Sequence, residues 1–307
     1  MIQIRSIKEN VYAIDVLPEI TPFLTTYIII DDYPAIVDCG PKRSIRHLLD
    51  ALNILRIDPK EIRFILLSHI HIDHAGGAGT LLKYLPNACV VVHPKGAPHL
   101  ISPHLLWEKT KEILGDTAIF YGEIESVPEE KILIAKEGLK IDLGNNIIRV
   151  LETPGHASHS VTYYLQPQKL IFPGDTLGVY LEPWEVFFPT TPKPFNATKT
   201  FNSIEKIRKI DPITICFPHY GAKSNAPKYI ERYRQKLETW IKTVEKNPSQ
   251  PPDIILKLLQ EKDPSMQTHY PNIIRHKIWS GSIARSIEGI RSYINWKKAQ
   301  QSSLLIK

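Results

Sequence analysis

Apolar and polar residues alternate in short runs over 2–7, 10–16, 25–30 and 35–39, each bounded by Pro, Asp or Asn, and this period of two predicts strands. The period then changes. Ile45, Leu48, Leu49, Leu52 and Leu55 recur at helical spacing and predict a helix over 44–55. The continuous apolar runs 64–67 and 88–92 read as fully buried strands, with a helix over 75–85 between them that Pro86 stops. Segment 95–126 breaks the rhythm with Pro98, Pro103, His99, His104, Trp107 and Tyr121, and has helical spacing only over 105–114. Strand patterns return at 131–135, 139–143, 147–152, 160–166 and 170–172. A proline-rich aromatic loop at 180–195, a helix at 198–210 and a last strand at 213–217 follow. Beyond that the chain reads as helices at 227–245, 253–261 and 272–296, separated by NPSQPP and MQTHYP.

Composition narrows the class. With 43% hydrophobic and 23% charged residues in 307, the chain is globular rather than disordered or collagen-like, and no apolar stretch approaches the roughly 20 residues of a bilayer span. The first sixteen residues alternate instead of forming a signal-peptide core, so the expected location is the cytoplasm. Cys39, Cys89 and Cys216 are odd in number, lack a CxxC pair and sit in or after apolar runs, and so read as buried reduced thiols. Twenty-five prolines against fifteen glycines, with two Met, point to stiff loops and a heat-adapted source. The net charge of +6 is unevenly spread: residues 221–307 hold 16 Lys and Arg against 7 Asp and Glu, leaving 22 against 25 for the rest. Such asymmetry raises the question of a nucleic-acid contact.

The chemistry concentrates after the strand FILL. The run SHIHIDHAGG places His69, His71, Asp73 and His74 at a strand end, where the chain turns and such side chains converge. Three other apolar strands end in metal-competent residues beside Gly or Pro: His156 and His159 in TPGHASHS, Asp175 in PGDT and His219 in PHYG. Nitrogen and carboxylate donors without thiolate suit Zn²⁺, Fe or Mn.

The HxHxDH element, the later His, the Gly-Asp turn and the final His together resemble the metallo-β-lactamase superfamily over residues 38–221. The resemblance implies an α/β fold, a four-layer αβ/βα sandwich, with residues 1–222 as the catalytic domain and 223–307 as a helical C-terminal extension. It also implies two divalent metal ions, with Zn²⁺ expected first: one held by His69, His71 and His156, the other by Asp73, His74 and His219, and Asp175 bridging. Asp38 would support the metal-binding loop, and His159 would lie near the site without ligating. Two such metals share a hydroxide that attacks a carbonyl or phosphoryl group, with Asp73 orienting it and passing a proton to the leaving group.

His71 stands where the di-iron flavoproteins of this fold carry Glu, and Asp175 where many zinc β-lactamases carry Cys or Ser. The pattern looks more like glyoxalase II and related thioesterases, lactonases, ribonuclease Z and persulfide dioxygenases. The expected substrate is a small, partly hydrophobic thioester, ester or lactone, with Trp107, Tyr180, Trp184 and Phe187 as lining residues. The same aromatic segments would equally serve a homodimer contact. The alternative is a nuclease whose basic helices meet nucleic acid, but Tyr229, Tyr233, Leu237, Trp240, Ile241 and Val244 recur at helical spacing and make this stretch an amphipathic packing helix. Neither a β-CASP domain nor a glycine-rich exosite arm is present, and no membrane partner is expected.

Overall fold

A computed structural model describes residues 2–305. The first seven strands, β1 (Ile4–Lys8), β2 (Val11–Asp15), β3 (Thr25–Ile29), β4 (Ala35–Val37), β5 (Phe64–Leu66), β6 (Cys89–Val92) and β7 (Ile132–Ile134), form one sheet in sequential order. It is antiparallel from β1 to β4 and parallel from β4 to β7. The parallel crossovers carry helices α1 (Ile45–Ile54), α2 (Ile72–Ala75), α3 (Ala78–Leu82), α4 (Ala97–Ile101), α5 (His104–Leu114) and α6 (Asp116–Tyr121). A second sheet contains β8 (Lys140–Asp142), β9 (Ile147–Glu152), β10 (Val161–Gln166) and β11 (Leu170–Phe172). The hairpin β12 (Val179–Leu181) and β13 (Val186–Phe188) and helix α7 (Ala197–Lys209) come before its last strands, β14 (Thr214–Phe217) and β15 (Gly221–Ser224). Its order is β15-β14-β11-β10-β9-β8. Helices α8 (Ala226–Lys246), α9 (Pro252–Gln260), α10 (Pro264–Arg275) and α11 (Trp279–Leu305) complete the chain.

The two sheets pack face to face. Tyr27, Ile29, Val37, Leu66 and Val91 from the first meet Ile148, Val150, Tyr163, Leu165 and Phe172 from the second. The alternate residues Ile28, Ile36, Ile65 and Val90 bury against the helices, so the central strands are apolar on both faces, as parallel strands between covering layers require. Two tyrosines bolt the sheets together. The Tyr163 hydroxyl lies 2.9 Å from the Leu67 carbonyl, and the Tyr27 hydroxyl lies 2.7 and 2.8 Å from the carbonyls of Phe217 and Gly221. The molecule has the four-layer αβ/βα fold with a C-terminal helical region.

Several elements differ from the sequence expectation. The helix expected over 75–85 is interrupted: α2 ends at Ala75 and α3 covers only Ala78–Leu82, because the Gly77 N–H turns away to the Gly40 carbonyl at 2.8 Å. Strand 213–217 is not the last: β15, polar in sequence, pairs antiparallel with it. MQTHYP is no linker, for Asp263 caps α10 by accepting the Ser265 N–H, Pro264 starts the helix, and Pro271 lies inside it. The aromatic segment at 180–195 begins with the buried hairpin β12-β13. The three cysteines are free, Cys39 and Cys216 buried and Cys89 half-buried.

Candidate metal centre

Asp38 follows β4 in a left-handed conformation, φ 50°, which a non-glycine residue holds only when its surroundings fix it. The carboxylate supplies that fixation. Oδ1 accepts the Ser68 N–H at 2.7 Å, and Oδ2 accepts the Ser68 hydroxyl at 2.7 Å and His74 Nδ1–H at 3.0 Å. With its one proton given to Asp38, Ser68 Oγ has only lone pairs for His69 Nδ1, 3.0 Å away, which therefore donates. One carboxylate thus sets the tautomer of two histidines and leaves both Nε2 atoms as lone-pair donors.

Backbone carbonyls do the same for two more. His156 Nδ1 donates to the Thr190 carbonyl at 2.8 Å, and His219 Nδ1 to the Phe23 carbonyl at 2.9 Å. Their Nε2 atoms face inward. His71 alone presents Nδ1, which lies 2.9 Å from both His69 Nε2 and His156 Nε2. Asp175, on the tight turn after β11, places Oδ2 3.4 Å from His156 Nε2, and Oδ1 3.3 and 3.5 Å from the Nε2 atoms of His219 and His74. Asp73 Oδ2 lies 3.8 Å from the same two nitrogens. The structure thus gathers His69, His71, His156 and Asp175 into one group and Asp73, His74 and His219 into another, the donor atoms of each lying within 4.8 Å of one another.

The donor chemistry fits divalent cations. Burial, reinforced by neighbouring imidazoles, holds His69 and His71 well below the ordinary histidine range, and burial lowers His156 against the pull of Asp175. These rings are neutral and able to ligate. Burial also acts on His74, but the charges of Asp175 and Asp73 and the hydrogen bond to Asp38 outweigh it and raise it to about 10. Burial would raise the Asp175 carboxyl, yet His219, His74 and His156 hold it far below the usual carboxylate range. His74 Nε2 and Asp175 Oδ1 are buried with no hydrogen-bond partner among the described residues, although they face each other. Buried atoms left so cost on the order of 1–3 kcal/mol each, and a shared cation satisfies both. His159 belongs to neither group: its ring centroid is 6.3 Å from that of His69, and burial lowers it to about 4. His93, also outside both groups, is buried, and its Nδ1 accepts the Lys95 N–H at 3.0 Å.

A cavity of about 490 Å³ opens over the cluster, with His71, Asp73, Asp175 and His219 at its floor. Its walls are not the aromatics expected from sequence. Trp107 points into the core, while its neighbours Leu106 and Thr110 on α5 face the cavity. Tyr180 and Phe187, on the hairpin, pack against Phe217 and the α8 residues Tyr229 and Tyr233, and Trp184 stacks on His269 and meets His276 edge-on. Phe23, Tyr121, Thr190, Ile278, Trp279 and Arg285 line it instead. Half of these come from α11 and the turn before it. Trp279 packs at 5.1 Å across the His219 ring and donates its indole N–H to the Pro22 carbonyl at 3.0 Å, next to the carbonyl that holds His219. Ser286 binds Thr191 at 2.8 and 3.2 Å, next to the carbonyl that holds His156. Helical periodicity gave no sign of these roles, because they pass through backbone carbonyls distant in sequence.

Residues 22–219 match the family model described as the metallo-beta-lactamase superfamily. The chain is 29% identical over 227 residues to the metallo-beta-lactamase fold-containing protein ST1585 of Sulfurisphaera tokodaii, covering 72% of this chain and 79% of that one. The ST1585 crystal structure superposes with a TM-score of 0.61 over 71% of this chain and 81% of that one at 28% identity. A hydroxyacylglutathione hydrolase of Pectobacterium atrosepticum is 28% identical over 62% of this chain, which spans only 58% of that protein's length. The Thermus thermophilus metallo-beta-lactamase family protein TTHA1429 shares the fold over 96% of this chain and 95% of its own, with a TM-score of 0.67 at 17% identity. No helix among the described residues is long and apolar enough to cross a membrane. By its family match and by the histidine and aspartate groups gathered at its strand ends, the chain belongs to the metallo-beta-lactamase superfamily.

Proposed function

We propose that the protein is a dinuclear metallo-hydrolase that cleaves a thioester, ester or lactone of a small, partly hydrophobic substrate. The observation that carries this reading is the convergence of seven N and O donors at and just beneath the floor of a largely apolar cavity. His69, His71, His156 and Asp175 on one side and Asp73, His74 and His219 on the other would hold divalent ions, Zn²⁺ first, which would supply Lewis acidity and a water ionised near neutral pH.

The chain's own residues supply the rest. Asp73, its side chain 22% exposed and facing the cavity, orients the attacking water and carries a proton to the leaving atom. Phe23, Tyr121 and Trp279 exclude bulk water around the reacting carbonyl. Against the phosphodiesterase alternative, four cations of the basic helices are already engaged by acids of the same region, Arg234 with Glu231, Lys242 with Glu238, Lys236 with Asp263 and Arg291 with Glu288, which lessens the charge left for a nucleic-acid backbone.

Metal analysis of protein purified without chelator is expected to find two metals per chain, and a screen of thioesters, lactones and phosphodiesters to return carbonyl substrates. His71→Ala and Asp175→Ala should each remove metal and activity together. A metal-free wild-type protein, or cleavage of RNA without any thioesterase or esterase activity, would overturn the reading.

A further inference from the structure

Arg285 stands out among the residues lining the cavity. It projects from the second turn of α11 into an otherwise mainly apolar wall, is half-buried, and has no hydrogen bond or ion pair among the described residues. The nearest acid on its own helix is not free to serve it, because Glu288 is engaged by Arg291. Burial lowers the Arg285 pKa, while the charge of Asp73 pushes it back up, so the guanidinium is partly dehydrated and shares the cavity with Asp73. The helix is shaped to receive it. A Cβ at Gly281, one turn earlier, would lie 2.9 Å from Arg285 Nη1 and 3.7 Å from Cζ, so the side chain lies folded over a position with no side chain. A half-dehydrated cation held in place but unpaired is a ready site for an anion.

We propose that Arg285 anchors the substrate, and that the molecule hydrolysed is an ester or thioester carrying an oxyanion, carboxylate or phosphate, across an apolar spacer from the reacting carbonyl. This rests on the hydrolase reading above and sharpens its substrate class. A guanidinium offers a planar fork of donors that meets either oxyanion with two parallel hydrogen bonds, which an ammonium does not. Thr110, Leu106 and Ile278 would face the spacer. The exposed Lys193 at the cavity rim adds positive potential along the entry path.

The test uses the full-length, metal-loaded enzyme and matched thioesters that end in a methyl, a carboxylate or a phosphate, the group being placed on the acyl side in one set and on the thiol side in another. Wild type should prefer a carboxylate or phosphate ending to methyl, and the preferred ending tells the two oxyanions apart. Arg285→Met should lower kcat/KM for that substrate by about 10- to 100-fold, mainly through KM, with the methyl-ended one changed less than about threefold. Arg285→Lys should recover part of the loss. Gly281→Ala, which leaves the guanidinium in the chain but displaces it, should raise KM for the anionic substrate alone. Calorimetric binding of alkanedioates against alkanoates gives a readout independent of turnover, and the dioate advantage should vanish in Arg285→Met. An equal loss for charged and neutral substrates, or an undiminished dioate advantage, would overturn the assignment. Absence of turnover with every thioester, alongside intact dioate selectivity, would leave Arg285 as an anion site and count instead against the hydrolase reading.

Discussion

Asp38 shows how much of the site one residue organises. It ligates nothing by its position, yet it fixes the Ser68 amide and hydroxyl, and through them and His74 it orients two inward nitrogens. Asp38→Ala is expected to weaken metal binding by about 10- to 100-fold while leaving the fold intact. A chelator competition titration measures it, and unchanged affinity would sink this role. The convergence of these seven side chains was legible in the sequence because their residue types carry metal-binding chemistry and each follows an apolar strand. The groups that back them were legible only in part. Asp38 came from the family resemblance, while the carbonyls of Thr190 and Phe23 have no side-chain signature at all.

At the scale of elements, runs with a clean period were read well and runs with mixed character were not. The alternating strands of the first sheet and the amphipathic α1, α7 and α8 lie close to their predicted bounds. The hairpin β12-β13 escaped because prolines and aromatics read as a loop, although its residues are buried under α8 and α10. The substrate wall was misplaced with it. A second element-level feature is the Glu125 carboxylate, which ties the loop before β7 to Lys42 ahead of α1 at 2.8 Å and to Lys83 after α3 at 2.7 Å. Hydrogen bonds from these two lysines hold its pKa near 2, against an ordinary 4.5. A depressed carboxylate contributes stability that is full above its unfolded value and fades as pH falls from about 4.5 toward 2. Glu125→Gln should therefore melt lower than wild type at pH 7, and the two curves should converge in acid. The contribution is small, because the lysines are largely exposed. A gap unchanged between pH 7 and pH 3 would contradict it.

For the whole molecule, the uneven charge noticed in the sequence separates from function. The basic excess of residues 221–307 lies on helices whose apolar faces, with Tyr233, Leu237, Trp240, Trp279, Ile283 and Ile287, share one continuous core with Ile215 and Phe217 of the second sheet. A chain cut after residue 222 should consequently fail to fold as a soluble, metal-binding unit. Far-UV circular dichroism and dye binding would report this, and a cooperative melt of the fragment would refute it. The contact between α11 and the segment before α7 is close enough that a Cβ at Gly289 would fall 1.7 Å from the Thr191 carbonyl. Gly289→Ala should destabilise by roughly 1–3 kcal/mol, as overpacking does, and should also reduce metal content.

That last contact has a consequence for the order of assembly. The Thr190–Thr191 peptide is grasped on one side by His156 and on the other by Ser286, so docking of the final helix and closure of the donor cluster are linked equilibria, each favouring the other by the same factor. During synthesis all seven donors leave the ribosome well before α11 does. Until that helix arrives, nothing holds the peptide that orients His156, and Trp279 is not yet against His219. A chain that stops before α11 is therefore expected to bind metal more weakly than the full-length chain, which a metal titration of the two would show.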